Sequence, residues 1–478
     1  MAKLARHLAG YLPVNLANAI AAFGGVYVFT RLLSAEAYGT YALMFWIMAM
    51  VHTVCVTWVE AAAYRFSGTA EATGQLPDHY RTALPLLAKS SMVALVVFAV
   101  MWFVLRDRPQ YAATVPWIAV LLPINSVVQV ALEAHKAGQR VRRYVFTETF
   151  RLLMGFALGA FGAWQLGLGA AAPFFGMVAA GGLMALRELA WLMQSAKGGV
   201  TSAARQSDWA RYGLPIAAAL VLDLIVSGVD RPMIAALLPD GEAQVGAYAA
   251  GYGAAQRPVT LLCTWAAMAG SPLLMAAYEK EGPDGTAAAA RQLATFLLFF
   301  GVPAAAGIAL VARPFAEAMI GEDVREGAMK IIPWIAMTGL LNGLLISYFS
   351  EAFQLAHKTA ERALLMIVPA VANIALNFFL LPVMGLMGAV VATVASYAIA
   401  IVLLALAGRR YVLLPVPWIE LAKILLAALC MWPALMLVPA LGSWPELFLK
   451  AGLGAVVYGL AAFALDAGGV RKFVRQRL

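Results

Sequence analysis

The chain alternates long apolar runs with short polar links from one end to the other. Fourteen runs can be placed, at 11–33, 41–63, 83–105, 112–133, 144–164, 169–192, 211–231, 244–277, 291–312, 328–350, 363–382, 385–407, 414–440 and 446–466. Each is long enough to cross a hydrocarbon core of roughly 30 Å as a helix. None shows the strict alternation of a barrel strand. A lipid core admits only helices or closed barrels, because every backbone N–H and C=O must find its partner inside the protein. The pattern therefore predicts an all-α polytopic membrane protein with about 14 transmembrane helices. The eighth run is over-long, and an interfacial turn is expected within it.

Composition sharpens this picture. Hydrophobic residues make up 63% of the 478 and charged residues 12%, half the roughly 25% of a soluble domain. The net charge of +9 does not point to nucleic acid. The basic residues lie between the spans, where they set topology and meet anionic headgroups, so membrane lipids are the expected partners. With the N-terminus inside, 22 of the 34 Lys and Arg residues fall on the cytosolic side and eight outside. That excess predicts that both termini are cytosolic. The links are too short for a catalytic domain; the longest, near 64–82 and 193–210, have room for one in-plane amphipathic turn each. Cys55, Cys263 and Cys430 sit inside apolar runs without disulfide or metal spacing and read as packing residues. No enzyme activity, metal or cofactor is expected.

Two halves of the chain echo each other. Ala134-His135-Lys136-Ala137-Gly138-Gln139-Arg140 returns 222 residues later as Ala356-His357-Lys358-Thr359-Ala360-Glu361-Arg362. A Gly-x-Tyr at Gly39 returns at Gly246, 207 residues on, and the link at Gly167 returns at Gly385, 218 on. These echoes predict a parallel repeat of six spans. Residues 1–205 form an N-terminal six-helix bundle, 206–410 a second pseudo-symmetric one, and 411–478 two further helices with a basic cytosolic tail.

The segment Thr30-Arg31-Leu32-Leu33-Ser34-Ala35-Glu36-Ala37-Tyr38-Gly39-Thr40-Tyr41 resembles the N-terminal signature of Wzx-type polysaccharide flippases. So does the run from Tyr212-Gly213-Leu214-Pro215 through Asp230-Arg231 to Val245-Gly246-Ala247-Tyr248. These proteins belong to the multidrug/oligosaccharidyl-lipid/polysaccharide exporter superfamily. The resemblance covers nearly the whole chain. It implies translocation of an undecaprenyl-pyrophosphate-linked oligosaccharide across the inner membrane by alternating access, for O-antigen lipopolysaccharide or exopolysaccharide. It also implies drive by membrane potential or by H+ or Na+, and other polysaccharide-assembly membrane proteins as candidate partners.

Such a substrate needs a wet cavity and cationic groups, and charges deep in a span are costly unless they face one. Asp223 and Arg257 fall near the midplane of spans seven and eight. They read either as a counter-ion and a pyrophosphate ligand, or as an ion pair joining two helices. Asn15 and His52 stand beside the repeat-related positions, and His52 could titrate with a driving proton. Glu148 and Arg151, three apart in span five, share a helix face as a substrate contact or a structural pair. Arg31, Asp230 and Arg231 close spans one and seven on the outer side, as an outer gate or as anchors. Arg142 and Arg143 read as snorkelling topology charges, and Arg187 with Glu188 as an anchoring pair. Asn373 and Asn377, one turn apart, read as a helix-joining stripe or a sugar path.

Other functions fit the sequence less closely. A multidrug exporter of the same superfamily would favour a mainly acidic cavity, and the midplane offers one charge of each sign. A membrane glycosyl polymerase of the same pathway usually carries a large outer loop, and an intramembrane acyltransferase needs a His-centred cluster; the sequence shows neither. A structural scaffold leaves the buried charges and the repeat without a purpose.

Overall fold

Every apolar run becomes a helix, and most helices outrun their apolar stretch. The computed structural model describes residues 12–471; Lys3, Arg6, Lys472, Arg475 and Arg477, which enter the topology count, lie outside the described residues. The chain divides into two compact units at Leu224/Ile225.

The first unit contains α1 (Leu12–Leu32), α2 (Ala35–Cys55), α3 (Thr57–Ala72), α4 (Leu76–Leu105), α5 (Pro109–Ala137), α6 (Val141–Trp164), α7 (Ala172–Ser195) and most of α8 (Ala203–Gly228). The second begins with α9 (Asp230–Leu237), α10 (Gly241–Gly285), α11 (Ala287–Leu310) and the short α12 (Ala312–Met319). It continues with α13 (Glu322–Leu344), extended by a π turn into α14 (Glu351–Leu355), then α15 (Thr359–Leu365), α16 (Ile367–Met384) and α17 (Leu386–Gly408). It closes with α18 (Trp418–Leu429), α19 (Met431–Met436) and α20 (Ser443–Leu465). Fourteen helical stretches are long and apolar enough to cross a membrane, and no strand occurs among the described residues. The protein is an all-α, multi-pass integral membrane protein of two pseudo-symmetric six-helix bundles plus two C-terminal helices.

Two boundaries differ from the sequence reading. No interfacial turn interrupts residues 244–277: α10 runs through Pro258 and Pro272, and its break falls at Gly282 (φ 70°, ψ −169°). The link at 64–82 is mostly helix, because α3 continues to Ala72 and α4 begins at Leu76.

The repeat is real, but its register is not the one the longest echo suggests. The turn after α5 places Gln139 at φ 52°, and the turn after α14 places His357 at φ 57°. Around them the backbone bonds coincide. Arg140 N donates to His135 O and Lys358 N to Phe353 O, both at 2.8 Å. Gln139 N donates to Lys136 O and His357 N to Gln354 O, both at 3.1 Å. The equivalent turns are thus 218 residues apart, and the Ala-His-Lys echo at 222 is four residues out of register. Gly167 (φ 60°) and Gly385 (φ 58°) obey the same offset of 218. Earlier in the chain, α2 and α10 begin 206 apart, at Ala35 and Gly241. The second half gains extra residues both where α12 is inserted and beyond it: α5 and α13 begin 213 apart, at Pro109 and Glu322, and the offset reaches 218 only at the turns that follow.

In the first unit, α6 and α7 touch backbone to backbone. A Cβ on Gly176 would lie 2.2 Å from Gly155 O and 2.2 Å from Gly159 N. Small residues permit this approach in lipid, where dispersion rather than hydrophobicity joins helices. Phe29 of α1 then packs edge-on against Phe156 at 5.9 Å. In the second unit, α18, α19 and α20 bury Ile424, Ala427, Met431 and Tyr458 against Leu298 and Val302 of α11.

A fully buried carboxylate ties α5, α6 and α7 together. Glu188 on α7 lies 2.9 Å from His135 Nε2, receives Thr147 Oγ1 at 3.0 Å, and pairs with Arg143 Nη2 at 3.0 Å. Arg187 approaches it only to 3.9 Å, so the expected Arg187–Glu188 anchor is a minor part of the network. Arg143 is likewise no simple snorkelling charge, since its guanidinium also covers Trp191 at 4.9 Å.

Two outcomes are expected. Replacing Gly176 by Val forces α6 and α7 apart at a cost of about 1–3 kcal/mol, read as a lowered melting temperature and a broadened elution profile in detergent. Glu188→Ala strands Arg143 and His135 and costs about 3 kcal/mol or more. A Glu188→Ala chain melting like wild type would remove that network from the account.

Candidate functional site

A polar cavity of about 330 Å³ opens inside the first unit. Its lining includes His52 of α2, Glu60 of α3, Asn125 and Gln129 of α5, and Arg151 of α6, with Met48, Leu122 and Val128 as apolar wall. His52 and Glu60 are eight residues apart, which is about 12 Å on a straight helix. Here His52 Nε2 lies 3.1 Å from Glu60 Oε1. The helix breaks at Val56 (φ −119°, ψ −37°), and the break folds the two side chains together. Glu60 is buried and is not the interfacial anchor its position in the apolar run suggests.

Arg151 stands ten residues into α6, about 15 Å along it, not at the helix end. Its Nε and Nη2 donate to Glu148 Oε2 and Oε1 at 3.0 and 2.8 Å, a two-point pair. Its Nη1 donates to Asn125 Oδ1 at 3.5 Å. Gln129 Nε2 donates to Glu133 Oε1 at 3.0 Å, which also receives Lys136 Nζ at 2.9 Å. The cavity lining therefore carries a cation held in place, a carboxylate, an imidazole and two amides, a mixture suited to hydroxyl-rich or anionic groups.

The structure thus gathers His52, Arg151 and Glu148 but not Asn15. Val14 and Ala17 are the buried positions of this turn of α1, and the helical period leaves Asn15 exposed. Asp223 is half-buried on α8 in the first unit, and Arg257 is exposed on α10 in the second.

A second polar centre lies within the second unit. Asp230 opens α9 and is completely buried. Tyr248 donates to its Oδ2 at 2.6 Å, Thr393 to the same oxygen at 3.0 Å, and Asn377 Nδ2 to its Oδ1 at 2.8 Å. Asn377 Nδ2 also donates to Asn373 Oδ1 at 3.0 Å, leaving Asn377 Oδ1 buried without a partner. Arg231 turns away to Tyr252, stacking at 4.8 Å. Arg31 covers Tyr27 at 3.9 Å and donates to its carbonyl at 2.8 Å. Arg31 and Asp230-Arg231 are not repeat partners. Arg31 sits one residue before the end of α1, whereas Asp230 begins a separate helix that ends at Leu237. Asn373 and Asn377 were visible as a stripe; Tyr248 and Thr393 carry no signal of their own. Among the described residues, no three His, Cys, Asp or Glu side chains are gathered as metal ligands would be.

This order of fourteen membrane-length helices is the fold of the multidrug/oligosaccharidyl-lipid/polysaccharide exporter superfamily. Residues 28–328 match the family described as "Polysaccharide biosynthesis protein", and the chain belongs to it. A structure described as the lipid II flippase MurJ in an inward closed conformation shares the fold at a TM-score of 0.76 and 12% identity, covering 98% of this chain and 100% of that one. An inward-facing multidrug resistance MATE transporter follows at 0.64 and 16%, covering 83% and 94%. A transporter of the superfamily from Pyrococcus furiosus, described by the reverse polarity of its binding pocket, is similar at 0.55 and 15%, covering 84% and 92%. Nothing among curated protein sequences matches.

Removing the guanidinium in Arg151→Gln leaves Glu148 without its partner. The double variant Arg151→Gln/Glu148→Gln is expected to regain much of the lost melting temperature, with a coupling of about 1–3 kcal/mol across the cycle. Additive single losses would show that the two side chains do not act as a pair.

Proposed function

We propose that the chain is a flippase for an undecaprenyl-pyrophosphate-linked oligosaccharide, working by alternating access in the bacterial inner membrane with both termini cytosolic. The observation that carries this reading is the polysaccharide-biosynthesis family match over residues 28–328. The polar cavity supports it. Arg151, fixed by Glu148 and Asn125, offers a guanidinium to an anionic sugar or phosphate. Arg257, exposed on α10, is a second cation for pyrophosphate, and Asp223 on α8 is a candidate cation site. Arg31 serves as an outer gate residue.

An H+ or Na+ gradient supplies the work. Asp230 is the group a cation would meet, a buried carboxylate beside the unpartnered Asn377 Oδ1. Hard cations take such oxygen donors. The same centre would favour a cation-coupled drug exporter equally; the polysaccharide-biosynthesis family match supports the flippase reading.

Deleting the gene is expected to abolish surface polysaccharide and trap its lipid-linked precursor on the cytosolic side. Wild type should restore both, while Arg151→Ala or Arg257→Ala should lower flipping about tenfold or more. Asp230→Asn should remove the dependence on the driving gradient. Normal polysaccharide with new sensitivity to cationic drugs would overturn the flippase reading for the exporter.

A further inference from the structure

Outside the cavity, the first unit carries two apolar grooves on the outer faces of α6 and α7. One, of about 580 Å³, runs between Pro13 of α1 and the face of α6 bearing Arg142, Phe146, Thr149, Phe150 and Met154. The other, of about 490 Å³, is lined by Phe146 with Leu183, Met184 and Arg187 of α7. Phe146 is the wall they share; it is half-exposed and stacks on Phe150. Each groove includes one arginine in its lining. Arg142 is the second residue of α6 and is exposed, and Arg187 lies over the Phe146 ring at 5.0 Å.

One detail separates these grooves from ordinary lipid-facing surface. A helical threonine normally returns its hydroxyl to the carbonyl one turn back. Thr30, Thr53, Thr82 and Thr114 all do so here. Thr149, seven residues beyond Arg142 on the same face, does not: its Oγ1 is buried in the groove with no partner. An orphan hydroxyl in an apolar channel calls for an acceptor from outside the chain.

We propose that this face seats one anionic diacyl phospholipid. Its two chains lie in the two grooves astride Phe146, its phosphate is held by Arg142 and Arg187, and Thr149 donates to an ester carbonyl. Two channels sharing the Phe146 wall fit a double-chain lipid, whereas a single polyprenyl chain would fill only one. Two guanidiniums select an anionic headgroup over a zwitterionic one. Thr149 lies about 10 Å along α6 from Arg142, deeper than the phosphate, on the side where the esters begin.

The test is native mass spectrometry of the full chain in detergent, offered phosphatidylglycerol and phosphatidylcholine together. One phosphatidylglycerol should be retained with a preference of about thirtyfold, from two surface arginines. Arg142→Gln/Arg187→Gln should lose that preference while its lipid-free melting temperature stays at the wild-type value. Should the double variant fail to fold, each single variant is expected to lose about fivefold. Thr149→Val should weaken retention of both lipids without changing the preference. Equal retention of the two lipids, or a preference that survives the arginine variants, overturns the proposal. So does displacement of phosphatidylglycerol by undecaprenyl phosphate, which would give the grooves to a polyprenyl chain.

Discussion

A charge inside a lipid-spanning bundle must find its partners within the protein, and each half of this protein is organised around one carboxylate that does. In the first unit Glu188 collects His135, Arg143 and Thr147 from two neighbouring helices. In the second, Asp230 collects Tyr248, Asn377 and Thr393 from three. Helix contacts in lipid have little hydrophobic drive, so such polar nodes and the glycine contacts between α6 and α7 set which faces meet. The cavity of the first unit then opens where that packing leaves room, between α2, α3, α5 and α6.

The two nodes differ in a way that bears on function. Around Glu188 positive charge is abundant, with Arg143 bonded and Arg187 nearby. Around Asp230 the direct partners are neutral hydroxyls and an amide, while Arg231 stacks on tyrosines instead. A carboxylate neutralised by a bonded arginine is a structural rivet, whereas one held by neutral donors can still meet a mobile cation. That contrast is why the proposed coupling ion is placed in the second unit and the proposed substrate contacts in the cavity of the first.

The span count and the all-α class were legible in the chain because hydrophobic length is a property of consecutive residues. What failed was anything depending on where a helix bends or which face it buries. His52 and Glu60 meet only because of the break at Val56, which no proline or glycine announces. Glu188 stands next to Arg187 in the sequence, but adjacent residues on a helix point about 100° apart. Its real partners come from 45 and 53 residues away. Arg151 and Glu148 were found because an i, i+3 pair is local.

The turns at Gln139 and His357 have a consequence for aligning the chain with itself. Their hydrogen bonds match bond for bond at a spacing of 218, while the letters that match best sit four residues out of step. What the two halves share at this corner is the path of the backbone, not the residues that line it. Searches for internal homology in such chains should weigh left-handed turn positions above shared words.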